Sequence, residues 1–79
     1  MTTESLKNIR NADPFVPFTI RMASGATYSV SHRDYLSIHP TARIATVYLP
    51  KGGLSNIDVM LITELVQDPE KTPAIENGV

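Results

Sequence analysis

Apolar and polar residues alternate from Phe18 to Met22, where Phe18, Ile20 and Met22 point one way and Thr19, Arg21 and Ala23 the other. Ser24-Gly25 breaks the run before Tyr28 and Val30 resume it, so residues 18–30 read as a tight β-hairpin. Leu36-Ser37-Ile38 alternates again over a short stretch, and His39-Pro40-Thr41-Ala42 turns the chain. From Arg43 to Leu49 the apolar groups lie on both sides, Ile44, Thr46 and Tyr48 against Ala45, Val47 and Leu49, which predicts a strand buried on both faces by the N-terminal helix or a neighbouring chain. Pro50-Lys51-Gly52-Gly53 is a turn by composition. Beyond it Ile57, Val59 and Leu61 alternate with Asp58, Met60 and Ile62. The pattern continues to Val66 as one long strand, or one interrupted by a helical kink near Met60-Leu61-Ile62.

The flanks follow other rules. Thr2 or Thr3 caps a short helix that runs through Arg10, with Glu4 at its positive end and Leu6 and Ile9 on one face. A helix of this length is marginal in water and forms only by packing on the sheet. Asp13-Pro14 ends it, and the segment from Pro14 to Phe18 is extended, with Phe15 and Phe18 placed to clamp helix to sheet. Ser31-His32-Arg33-Asp34 has the spacing of a capping box and predicts a single helical turn through Tyr35. Residues 67–79 show no period and read as a disordered tail. The expectation is a mainly β domain over residues 1–66: a short N-terminal helix, then four or five antiparallel strands curled into a small SH3-like or Sm-like barrel. An open sheet with the helix on one face is the alternative.

Taken together, Pro14-Phe15-x-Pro17-Phe18-Thr19-Ile20-Arg21, the Gly25 turn, His32-x-x-Tyr35-Leu36-x-Ile38 and Ile57-Asp58-x-x-Leu61-Ile62 resemble a family of small, functionally uncharacterised bacterial proteins. That resemblance covers residues 14–66 and brings no activity with it. The order of elements is also similar to that of the Sm-like barrel and, in part, the wider SH3-like class. The Sm-like resemblance implies rings built through edge strands and binding of uridine-rich RNA. It rests on an Asp or His with an Asn after the second strand, and on an Arg-Gly or Lys-Gly pair in the last loop. Lys51-Gly52 matches the latter pair, whereas His39-Pro40-Thr41-Ala42 supplies no asparagine for the former.

Composition narrows the chemistry. A chain of 79 residues buries only roughly 60% of the surface its unfolded form exposes, so a second chain is a natural source of further burial. The absence of cysteine removes disulfides and thiolate catalysis and suits a reducing cytoplasm. No apolar run approaches the roughly 20 residues of a membrane span, and Met1-Thr2-Thr3-Glu4 lacks the layout of a signal peptide, which predicts a cytoplasmic protein. The net charge is -1, unevenly spread: six basic groups against three acidic up to Lys51, then one against five. That asymmetry suits a mildly basic face for RNA, head-to-tail pairing between subunits, or an ordinary mixed surface.

Three constellations remain as candidates. Arg21, Arg33 and Arg43, with Tyr28, Tyr35 and Tyr48, are the types that grip phosphates and stack on bases, and Lys51 and Gly52 extend that nucleic-acid set. His32, Asp34 and His39 offer three metal ligands at a spacing that matches no recognised site, and a histidine in a turn ordinarily bonds the local backbone. Ser31 and Ser37 lie near these histidines, but serine belongs in turns for conformational reasons, and no nucleophile stands with an oriented base. The pattern therefore predicts a non-catalytic binding or assembly module without a cofactor, homo-oligomeric through its sheet edges. An Sm-like RNA-binding protein and a metal-binding protein are the alternatives.

Overall fold

The computed structural model describes residues 1–67. Thr2 opens the one α-helix among the described residues, α1 (Thr3–Arg10), by accepting the amide of Ser5 on its hydroxyl, which satisfies one of the donors a first turn leaves unpaired. Six strands follow: β1 (Phe18–Met22), β2 (Thr27–Val30), β3 (Leu36–Ile38), β4 (Ile44–Tyr48), β5 (Leu54–Asp58) and β6 (Ile62–Gln67). They form two three-stranded antiparallel sheets, ordered β2-β1-β6 and β3-β4-β5. No helix among the described residues is long and apolar enough to cross a membrane.

This arrangement corrects the expected barrel. There are six strands rather than four or five, and the hydrogen-bonded ladders stop at two separate sheets instead of closing into one. The reason lies at two corners, where the chain leaves one sheet for the other through a single 3₁₀ turn: Arg33–Tyr35 between β2 and β3, and Val59–Leu61 between β5 and β6. Such a turn directs its amides inward on itself, so strand pairing cannot run through it. Each corner has its own side-chain cap, His32 Nδ1 accepting from the Asp34 amide and Asp58 Oδ1 from the Met60 amide. The cap of the first corner is therefore His32 and not Ser31.

The second corner also changes which side chains face inward. Strict alternation from Ile57 would bury Leu61, yet Leu61 is 54% exposed and Ile62 only 3%. The three residues of the turn shift the inward parity by one, so that Ile57, Val59 and Ile62 enter the core. The kinked reading of this segment is thus the one the chain adopts. β6 then runs through Gln67, which pairs with Phe18, so the strand reaches one residue into the expected tail. The rest of that tail, 68–79, lies outside the described residues.

Between the sheets sits a core of Leu6, Phe18, Ile20, Val30, Leu36, Ala45, Val47, Ile57, Val59 and Ile62, with Ile9, Phe15, Met22, Tyr28, Ile38 and Leu65 packed around it. Phe15 meets Phe18 at 5.9 Å between ring centroids, so the two phenylalanines close one flank of the core. The helix covers β3 and the second corner. Leu6 is its fully buried contribution, and Arg10 fixes its far end by donating from Nε to the Leu36 carbonyl at 2.6 Å. Across the open ends of the sheets, Ser55 on β5 donates to the Tyr28 hydroxyl on β2 at 3.2 Å.

Leu6→Ala is expected to lower the unfolding free energy by about 2–5 kcal/mol, since it opens a cavity where helix and sheets meet. Arg10→Ala, which removes a charged hydrogen bond at a partly buried edge, is expected to cost about 1–2 kcal/mol. Urea denaturation followed by circular dichroism measures both, and equal costs would deny Leu6 its place at the centre.

Candidate functional site

The residue types associated with nucleic acid do not gather. Arg21 on β1 reaches Glu64, its cross-strand neighbour on β6, at 3.6 Å. Arg33, in the first corner, donates to the Ala12 carbonyl at 3.0 Å and lies over the Phe15 ring at 5.6 Å. Arg43 precedes β4 and pairs with Asp58 at 3.4 Å, with its Nη1 also directed at the Met60 sulfur. Lys51 and Gly52 occupy the turn at the opposite end of β4, where Gly52 takes φ +98° and donates to the Leu49 carbonyl. Five residues of strand, about 17 Å, separate Arg43 from that turn. Each arginine is thus engaged within the fold, and Arg21 and Arg43 stand on different sheets.

The histidines serve the backbone. His32 Nδ1 accepts from the Asp34 amide at 3.2 Å and sits 3.6 Å from the Asp34 carboxylate. His39 Nδ1 accepts from the amides of both Thr41 and Ala42, at 3.1 and 2.9 Å, and so folds the loop that carries β3 into β4. Among the described residues no group of three His, Asp or Glu side chains converges on a point where a metal ion would be held, so His39 is not brought to His32 and Asp34. Each ring spends one lone pair on a cap and keeps only Nε2 for anything else.

A shallow depression of about 220 Å³ lies beside the helix end, lined by Lys7, Arg10, Asn11, Ser37 and Ile38. Arg10 is already committed there to Leu36 and to the Asn11 side chain. The Ser37 hydroxyl in its wall lies on an exposed strand position with no histidine or carboxylate among the lining residues to act on it.

What does assemble is an apolar face that the alternation argument misplaced. In β4, Ala45 and Val47 are 1% exposed, as expected of inward positions, but Ile44 and Tyr48 are 46% and 42% exposed. The burial expected on both sides of this strand is present on one. The register sets Leu54 opposite Tyr48, Asn56 opposite Thr46 and Asp58 opposite Ile44, so all six side chains share the outward face of β4 and β5. Thr46 donates to Asn56 Oδ1 at 2.6 Å in its middle. Arg43 and Met60 extend the face at the Ile44 end. The signal was in the sequence: a strand apolar on both sides, with only one short helix available to cover it.

Comparison with family models, with curated proteins and with solved structures gives no match to this chain. The geometry is therefore the ground for a functional reading. For the histidine cap, His39→Ala is expected to lower stability by about 1 kcal/mol, whereas His39→Asn, which keeps a short acceptor near the two amides, retains most of it. Thermal denaturation of the two variants checks this, and identical losses would show that the ring fills space instead of capping.

Proposed function

We propose that the chain is a non-catalytic assembly module that associates with copies of itself through its β-sheet surface. The observation that carries this reading is the distribution of large apolar side chains. Among the described residues ten hydrophobic side chains are buried, while Met1, Tyr35, Ile44, Tyr48, Leu49, Leu54, Met60 and Leu61 stand at 36% exposure or more. Single exposed apolar groups are ordinary, but Tyr48 and Leu54 face each other across β4 and β5 and Ile44 lies beyond Thr46 on the same sheet face, and apolar groups gathered on one face mark a place of contact. A small domain gains most from such contact because its own core is limited.

Size-exclusion chromatography with light scattering, run from roughly 1 to 200 μM, is expected to show a mass that rises above the monomer with concentration, and a monomer throughout would refute the reading. The RNA alternative is separated by titrating labelled oligouridine at low salt. With Arg21 and Arg43 paired to carboxylates, no salt-sensitive binding is expected, whereas an affinity that falls steeply with added salt would move the function to RNA.

A further inference from the structure

We infer that the outward face of β3-β4-β5 receives a second copy of this chain, docked face to face about a two-fold axis that runs across the strands near the Thr46–Asn56 pair. This rests on the self-association reading above and names its surface.

At the edge of β3, Arg10 occupies the carbonyl of Leu36. The face, by contrast, carries a stripe: Tyr48 and Leu54 at one end, Thr46 and Asn56 in the middle, Ile44 and Met60 at the other. Ile44, Tyr48, Leu54 and Met60 are 46%, 42%, 56% and 58% exposed, which puts their joint apolar surface in the range, roughly 300–600 Å², of a monomer's largest patch, one that is often functional. With the polar groups between and beside them, the footprint approaches the ~800 Å² per partner of a stable interface. A two-fold contact uses the same patch twice and closes on itself, so a single self-complementary face suffices for a dimer.

Charge selects the sense of docking. Arg43 and Asp58 lie at one end of the face and Lys51 in the turn at the other. An axis across the strands brings each copy's Lys51 end over the other's Asp58 end, whereas an axis along them would set Lys51 beside its own equivalent. Asp58 is already paired with Arg43, so that end carries no net charge, and it is the separation of the two like-charged Lys51 side chains that favours the first arrangement. At the centre, Asn56 accepts from Thr46 through Oδ1, and its amide N–H groups have no partner among the described residues. Lying near the axis, they find acceptors in the equivalent pair of the other copy.

The chain contains no cysteine, which makes cross-linking specific. Asn56→Cys is expected to be joined between copies by a short bis-maleimide, which spans the roughly 10 Å between facing sheets, while Thr63→Cys, at an exposed position of β6, is not. Leu54→Glu is expected to weaken association at least about tenfold by light scattering, with an unchanged circular dichroism spectrum. Wild-type protein that stays monomeric defeats the self-association reading itself. A dimer that survives Leu54→Glu and cross-links through Thr63→Cys instead of Asn56→Cys leaves that reading standing and overturns the face.

Discussion

Everything in this fold depends on keeping one side of each short strand pointed inward while the chain turns two corners. The core draws one or two residues from every element: Leu6 from the helix, Phe18 and Ile20 from β1, Val30 from β2, Leu36 from β3, Ala45 and Val47 from β4, then Ile57, Val59 and Ile62. No element holds enough apolar surface to stand alone. Stability is therefore a property of the corners as much as of the strands. A slip of one residue at either corner would turn a whole strand inside out. His32 and Asp58 hold the two turns by accepting an amide two residues ahead, and at the second corner Val59 is itself a core residue.

A core built this way leaves a fixed shortage on the outside. The single helix is eight residues long and packs on β3 and the second corner, drawn there by Leu6 and tethered by Arg10. In that place it cannot also lie across β4 and β5. Their outer side is consequently the one sheet surface that combines adjacent large apolar groups with nothing in the described chain to cover them. The same packing decision that completes the interior thus creates the surface on which function is proposed.

Much of the framework was legible because it is local. The Ser24-Gly25 hairpin follows from alternation plus a residue able to take φ +97°, and the helix follows from a threonine cap and the spacing of Leu6 and Ile9. The errors share a different origin. Whether Leu61 or Ile62 is buried depends on three residues forming a 3₁₀ turn instead of extended strand, a choice made by the Asp58 cap and by β6 pairing with the distant β1. Whether the outer side of β4 is covered depends on where the helix docks. Closure of a barrel depends on ladders continuing past both corners. None of these is a property of a short window of sequence. For the candidate charged residues, type and number are visible in the sequence, whereas Arg21 facing Glu64, and Arg43 facing Asp58, is a matter of register.

The composition of the exposed face bears on what kind of assembly it suits. Interfaces that never come apart resemble a core cut in half, with few charges inside the patch. Here Thr46 and Asn56 sit in the middle of the stripe and the Arg43–Asp58 pair among its apolar groups at one end. Those groups keep the exposed face wettable, and in the proposed contact they would have to find partners, since a polar group buried without one costs as much as a good contact contributes. A face of this mixed kind discriminates: an apolar surface of similar shape but without matching donors and acceptors would strand Asn56 and the ion pair, whereas a partner that supplied their complements would not. Partial polarity thus limits the strength of the contact and, by the same chemistry, restricts it to a partner of the right pattern.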